Sequence, residues 1–434
     1  MKLTFPSYVA LLASLAAASA FAGPANLSLS LAQAQALAVE RNHDLKLARS
    51  AIASAEAGVQ SAGAAPNPVV GLSTSGIGPG IGGGSLWRKQ IDTVLSVSQL
   101  IERGNKRELR TENAQHQVRA AGADLQDVQR QLRVLVAQAY ADLMAAQDKL
   151  AASRDASQLL DATLAAAQTR RAAGDIAGAD VERVRVDALR ARNDVAAAQG
   201  ELARARHVLA LLLGETAHAD ALEAADSWPA LEEATAPDEA ALARLIDARA
   251  DVRAAQARVE AAQSGTKLAD ALRTRDVTVG AQYEHYPQAA DPNGASGNSV
   301  GVSISMPLFT RYYYQGEIAS AQAVLEASQV ALDRTRERAH AEISGALAAL
   351  RSAAERVRRN RDELLVAAEK AARAAEYAYQ NGAVGVMDVL DARRTLRATR
   401  LDALAAQADF SKALAAWKAA TDTADAESRL AANQ

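Results

Sequence analysis

Two runs of this chain, about 105–171 and 316–380, pass without a single proline. Both carry the spacing of side-by-side helices. Leu125, Val128, Leu132, Leu135 and Ala139 step by three and four, as do Ile318, Ala321, Leu325, Ser328 and Leu332. At ~1.5 Å per residue, roughly 65 residues make a rod on the order of 100 Å. A rod of that length cannot bury itself in one globular core, so it must lie alongside others. The composition suits this. The chain is rich in alanine and only 4% aromatic, and small side chains let helix backbones approach closely. Gly174 and Gly382 end the runs as turn glycines, and helices are expected to return over about 180–213 and 388–421.

The chain also repeats itself. Leu95-Ser96-Val97-Ser98 aligns with Val302-Ser303-Ile304-Ser305, and upstream Asp44 and Ala48 align with Asp251 and Ala255 at the same offset. Downstream, "GDIAGADV" (174–181) aligns with "GAVGVMDV" (382–389) at nearly that offset: Gly174 with Gly382, Ile176 with Val384, Asp180 with Asp388, Val181 with Val389. Three matches in one order indicate a tandem duplication. Copy one covers about 31–213 and copy two about 238–421. An acidic linker (about 214–237) joins them, with Trp228 as a candidate anchor. Each copy is expected to open with a helix (about 31–63 and 238–272), followed by two strands around a Gly/Pro-rich loop.

Those strands have period two. In "NSVGVSISMPLF" (298–309), Val300, Val302, Ile304 and Met306 oppose Ser299, Gly301, Ser303 and Ser305. In "DVTVGAQYEHY" (276–286), Val277, Val279, Ala281 and Tyr283 oppose Thr278, Gly280, Gln282 and Glu284. "NPVVGLSTSG" and "TVLSVSQLI" are their counterparts in copy one. Such strands fit a membrane β-barrel whose lipid-facing and lumen-facing residues alternate. Four strands cannot close alone, and an open edge is not tolerated in lipid, so strands of other copies of the chain must complete the barrel. Ser303, Ser305, Gln282 and Glu284 would then line a wet lumen. A small soluble sheet against the helices is the alternative that the pattern leaves open.

The N-terminus reads as a secretory signal over 1–22: a basic Lys2, an apolar stretch from Tyr8 to Ala17, and Ala20-Phe21-Ala22 before Gly23. The mature protomer is then 23–434. With no cysteine there are no disulfides or thiolate sites, and a net charge of -3 gives no support for nucleic-acid binding. His43, His116, His207, His218, His285 and His340 are scattered without metal-ligand spacing. No nucleophile elbow or phosphate loop is present. The expectation is a non-enzyme without a cofactor or resident metal.

"LSVSQLIERGNKRELR" (95–110), "NPVVGLS" (67–73) and "YQNGAVGVMDVLDARRTL" (379–396) together resemble the TolC-like outer membrane efflux family. The first motif is similar to the strand-to-helix junction of its heavy-metal, cobalt-zinc-cadmium branch. The resemblance covers about 27–421. It implies a mainly α protomer with a small β-barrel portion: a long coiled-coil tunnel in the periplasm plus four strands. A homotrimer would close a 12-stranded barrel in the outer membrane of a Gram-negative bacterium. It implies two partners, a periplasmic adaptor and an inner-membrane transporter of the resistance-nodulation-division type. The cargo it implies is heavy-metal cations, with organic drugs or detergents as the alternative; outside the resemblance, the residues also leave open a periplasmic coiled-coil structural protein without a channel.

Asp180, Asp388 and Asp391 cluster where helices restart after the turns. From the residues alone they are either helix caps or a carboxylate ring at the tunnel mouth. Asp388 and Asp391 are three apart and share a helix face. The resemblance implies that these two line the periplasmic constriction and that Tyr379 helps hold it shut. An arginine lock found in some members falls here on Val384, so it does not carry over. Tyr312, Tyr313 and Tyr314 are candidates for an aromatic girdle at the membrane interface.

Overall fold

The computed structural model describes residues 27–78, 91–231, 235–285 and 297–421. The expected signal sequence, most of both Gly/Pro-rich loops and the tail from Asp422 lie outside the described residues. The chain forms two compact units, one drawn from 1–46, 128–245 and 340–434, the other from 47–127 and 246–339.

The second unit carries the sheet. Strands β2 (Val69–Ser75), β3 (Asp92–Ile101), β5 (Val277–His285) and β6 (Asn298–Ser305) pair antiparallel in the order β2-β3-β5-β6. The two copies therefore meet in the middle, with Leu95 opposite Tyr283 and Ser96 opposite Gln282. β2 and β6 are the edges. Each copy opens with two helices rather than the single one expected: α1 (Leu31–Arg41) and α2 (His43–Gly63), then α5 (Glu239–Ala248) and α6 (Ala250–Ala271). The breaks fall at equivalent residues. Asn42 and Arg249 both leave the helical region, with ψ 137 and ψ 143. Asn42 Oδ1 accepts the Asp44 N–H at 2.8 Å while its Nδ2 donates to the Leu212 carbonyl at 3.0 Å. Arg249 is buried and pairs with Asp251 at 2.7 Å. At Asn42 the side chain takes backbone groups from the helix, and at the second break Asp251 Oδ1 accepts the Val252 N–H at 2.9 Å; apolar periodicity registers neither.

The long runs form α3 (Lys106–Ala172), returning as α4 (Gly178–Leu213), and α7 (Gln315–Arg359) with α8 (Leu365–Gln380), returning as α9 (Val386–Thr421). The second run is not uninterrupted as expected. A π turn over Asn360–Leu364 separates α7 from α8. Its cause can be read from burial. Before it, buried Leu132, Val136, Leu143, Ala146 and Leu150 of α3 correspond to buried Ala339, Ile343, Leu350, Ala353 and Val357 of α7 at one constant spacing. Beyond it, Leu160, Leu164 and Ala167 correspond to Ala368, Ala372 and Ala375 at a spacing one residue longer. A π turn accommodates one extra residue, so the insertion leaves the buried stripe of α8 in phase.

In the first unit, Leu350, Ala353 and Val357 pack on Ala406, Phe410 and Leu414 of α9. Two short strands escaped the sequence reading, β1 (Leu27–Leu29) and β4 (Leu222–Ala224), which pair in parallel. At three residues they are too short to show a period. The linker is thus partly structured, with a 3₁₀ turn over Thr216–Ala221 and then β4. It is stapled to α3. Tyr140 Oη donates to the Leu29 carbonyl at 2.8 Å and accepts the Ala225 and Asp226 N–H groups at 3.1 Å. Burial pushes that phenol above its usual range. Trp228 does act as an anchor, its Nε1 donating to Asp148 at 2.8 Å.

Candidate functional site

Two surfaces carry functional residues, one in each unit. The first is the sheet. Residues opposite one another in a register share a face, and the pairs Thr278–Ser305, Gly280–Ser303, Gln282–Gly301 and Glu284–Ser299 put Gln282, Glu284, Ser303 and Ser305 on one face. Ser96 and Ser98 join them from β3, and Ser299 Oγ donates to Glu284 Oε2 at 3.1 Å. At its glycine positions this face is crowded. A Cβ on Gly280 would come within 2.6 Å of Ser303 Oγ, and one on Gly71 within 2.8 Å of Ser96 Oγ. The opposite face carries Val70, Leu72, Leu95, Val97, Val300, Val302 and Ile304, with Val300, Val302 and Ile304 79%, 78% and 74% exposed. The tyrosines after β6 form an aromatic group in which Tyr312 and Tyr313 are exposed and Tyr314 is half-buried, with Phe309 edge-on to Tyr313 at 6.3 Å and to Tyr314 at 5.3 Å.

The strand-to-helix junction at 101–110 is a polar clasp. Gly104 (φ 77) and Asn105 (φ 54) turn the chain through the left-handed region, and a Cβ on Gly104 would strike Thr274. Lys106 then donates to the Thr274 carbonyl and to both oxygens of Asp276. Arg110 holds Glu102 in a two-pronged pair, 2.9 Å on its Nη2 side, and this hydrogen bond lowers the Glu102 pKa below its usual value.

The second surface is the pair of turns that close the long helices. Both are built alike. The Gly174 N–H donates to the Arg171 carbonyl and Asp175 N–H to the Arg170 carbonyl; the Gly382 N–H donates to the Tyr379 carbonyl and Ala383 N–H to the Ala378 carbonyl. Gly174 (φ 84) and Gly382 (φ 73) supply the left-handed residue that this helix ending requires. Ala167, Val181, Val184 and Leu390 form the core behind them, with Ile176 and Val386 packed on it.

The sequence-predicted acids fall here with different surroundings. Asp388 Oδ2 accepts the Gly385 N–H at 3.0 Å, so it caps the start of α9. Asp180 is half-buried and paired with Arg183 at 3.3 Å. Asp391 is exposed, and among the described residues it has no hydrogen bond or ion pair. Tyr379 is half-buried and meets Arg170 of α3, whose Nη1 donates to its hydroxyl. Sequence reading missed Arg170, and also the braces behind it. Arg393 donates to Thr163 at 3.1 Å and Glu376 at 3.0 Å, and Arg394 pairs with buried Asp187 at 2.7 Å. Among the described residues, no three His, Asp or Glu side chains converge to hold a metal ion, and no helix is long and apolar enough to cross a membrane.

Comparison with known proteins agrees with this architecture. Residues 34–215 and 241–423 match the profile of a family described as Outer membrane efflux protein, once for each copy. The chain is 28% identical over 368 residues to the cobalt-zinc-cadmium resistance protein CzcC of Cupriavidus metallidurans, covering 83% of this chain and 82% of that one. A membrane protein from Pseudomonas aeruginosa superposes with a TM-score of 0.78 at 19% identity, covering 92% of this chain and 93% of its own. CusC superposes with a TM-score of 0.73 at 20% identity, with coverage of 93% and 95%.

Proposed function

Because the chain belongs to the outer membrane efflux protein family, we propose that it is the passive exit duct of a tripartite pump and that its cargo is heavy-metal cations. The observation that carries the duct reading is the sheet. Its outer face offers a continuous row of exposed Val, Leu and Ile, which water disfavours and hydrocarbon accepts. Its edges β2 and β6 have no partner strand within the described residues, and lipid does not tolerate open edges. Three copies supply twelve strands and remove every edge. Gln282, Glu284, Ser303 and Ser305 then face the lumen, and the exposed Tyr312 and Tyr313 after β6 sit where an interfacial girdle belongs. The helical turns form the periplasmic mouth, where Asp391 and Asp388 of three chains add negative charge. The partners are a periplasmic adaptor and an inner-membrane transporter of the resistance-nodulation-division type. Energy comes from that transporter, so the duct needs no catalytic group.

The cargo rests on kinship with a cobalt-zinc-cadmium resistance protein and on the junction motif at 95–110. Lys106, Gly104 and Arg110 of that motif are occupied in holding strand to helix, so the motif marks descent and supplies no metal ligand. The test is deletion of the gene with neighbouring pump genes intact, scored against a panel of zinc, cobalt, cadmium, copper and silver and a panel of organic compounds. Sensitivity to metals supports the cargo. Sensitivity confined to organic compounds assigns it to the drug-exporting alternative. Native mass in mild detergent should show three subunits; a stable monomer would sink the duct reading.

A further inference from the structure

We propose that Arg103, Arg273, Arg275 and Arg311 of each protomer form a site for the phosphate headgroup of an anionic phospholipid in the periplasmic leaflet of the outer membrane. The proposal rests on the duct reading above, which sets the strand ends that lead into the helices at that leaflet. Charge is uneven there. Segments 101–110, 273–276 and 309–317 hold seven cations and four acids, in a chain whose net charge is -3. Each of the four acids is already engaged. Glu102 is held by Arg110, Asp276 by Lys106, and Glu108 pairs with Arg107 at 3.4 Å. Glu317 accepts the Tyr312 hydroxyl at 2.7 Å. The four remaining arginine side chains have no acid partner among the described residues: Arg273 Nε makes a long bond of 3.5 Å to the Tyr313 carbonyl, and the Arg275 guanidinium carbon lies 5.4 Å from the centre of the Phe309 ring.

Position gives these charges a ligand. Ile101 faces Val277 in the register, and Arg103 and Arg275 each stand two residues beyond that pair. Beside them Ile101, Met306 and Leu308 are exposed at the rim of the apolar face. The aromatic segment that follows is fixed in place. Tyr312 Oη accepts the Gly316 N–H at 2.9 Å, Tyr314 sits in the left-handed region at φ 62, and Phe309 meets Tyr313 and Tyr314 edge-on. Apolar side chains, then aromatic rings, then guanidinium groups repeat the order of one lipid leaflet: acyl chain, glycerol region, phosphate. A guanidinium fork matches two phosphate oxygens. A zwitterionic headgroup carries an ammonium beside its phosphate, which a cluster of arginines repels, so the charge surplus selects the anionic class.

The test places a reporter at the site. The full-length protein carrying Tyr313→Trp is reconstituted in vesicles of equal phosphatidylglycerol and phosphatidylcholine, with bromine high in the acyl chains of one lipid and then of the other. Quenching is compared with that of protein lacking the substitution, which removes the signal of the native tryptophans. Brominated phosphatidylglycerol should quench more, corresponding to a preference of about tenfold at low salt. The preference should shrink as salt is raised, because the Debye length falls from roughly 10 Å at 0.1 M to 3 Å at 1 M. Adding Arg103→Gln and Arg311→Gln, both exposed residues, should bring it close to unity, and Arg103→Lys with Arg311→Lys should keep part of it, since the charge stays and the fork is lost. Inorganic phosphate at matched ionic strength should leave the preference intact. If phosphate abolishes it where chloride does not, the site belongs to the free ion and the lipid assignment falls. Equal quenching by both lipids with all four arginines present would overturn the proposal and leave the duct standing. Quenching by neither lipid would overturn the duct reading and this proposal with it.

Discussion

Lys106 Nζ lies 2.8 Å from Asp276 Oδ1 and 2.8 Å from the Thr274 carbonyl, with its side chain only 7% exposed. The ammonium is enclosed where strand becomes helix, and the Arg103 N–H supplies the remaining bond to Asp276 at 2.9 Å. Breaking a buried pair from one side leaves an uncompensated charge. Lys106→Ala should cost about 2–4 kcal/mol, the lower part of the usual range because Asp276 keeps some contact with water. Replacing both partners by apolar residues of similar volume should recover most of it. Thermal unfolding of the detergent-solubilised protein checks both.

Acid should weaken the neighbouring pair. Arg110 holds the Glu102 carboxyl below its ordinary value of 4.5. A lowered folded-state pKa means that the stabilisation is complete above about 4.5 and is lost as pH falls through the folded value. Glu102→Gln should therefore melt below wild type at pH 7. The gap should close as the solution is taken well under pH 4.5. A gap that widens in acid would contradict the assignment.

Tyr140→Phe removes a hydroxyl that joins the first described strand to the linker. It leaves the Asp226 N–H without its partner, while the Ala225 N–H and the Leu29 carbonyl keep their bond to each other at 3.0 Å. The expected cost is about 1–3 kcal/mol. Amide exchange at Asp226 should speed up well before the helices are affected, and more than at Ala225, which keeps its bond to the Leu29 carbonyl. Unchanged protection there would show that water replaces the hydroxyl.

The two faces of β6 should answer charge differently. Val302→Arg places a guanidinium on the exposed apolar face and should cost about 2–4 kcal/mol in the membrane, with poor recovery in outer membrane fractions. Ser305→Arg, on the polar face, should assemble normally and reduce conductance. Equal tolerance at both positions would point to a soluble sheet.

The two acids at the proposed mouth should also separate. Asp391→Asn touches no partner and should lower cation preference while leaving stability within about 0.5 kcal/mol. Asp388→Ala loses the bond to the Gly385 N–H as well as a charge, so it should reduce cation preference and stability together, the latter by about 1 kcal/mol. Reversal potentials in a salt gradient and thermal melts resolve the two.

The features visible in the sequence were those with a period or a repeated motif. Alternation placed Gln282, Glu284, Ser303 and Ser305 on one face, and the register does the same. The runs without proline became α3 and α7–α8, and the paired glycines became paired turns. What stayed hidden depends on partners far away in sequence. Arg170 has no motif, because it matters only through a tyrosine in the other copy. Asn42 breaks its helix with side-chain bonds to backbone groups, Arg249 sits at its break paired with Asp251, and β1 and β4 pair with each other under a staple from Tyr140 without a pattern of their own. Asp388 showed its capping role only once the Gly385 N–H was seen to point at it.

The π turn at 360–364 is a record of history. Two identical halves repeated around a three-fold axis would make a ring with six equivalent positions. An extra residue in one half ends that equivalence, and the bulge confines the mismatch to one solvent-facing turn whose five residues are not buried. The two turns also differ in what they carry: an arginine at position 170 and a tyrosine at 379, a capping aspartate at 388 and an unpaired one at 391. The halves are no longer interchangeable. A chain rebuilt from two copies of the first half would regain sixfold likeness and lose the arginine–tyrosine contact, since neither half contains both partners.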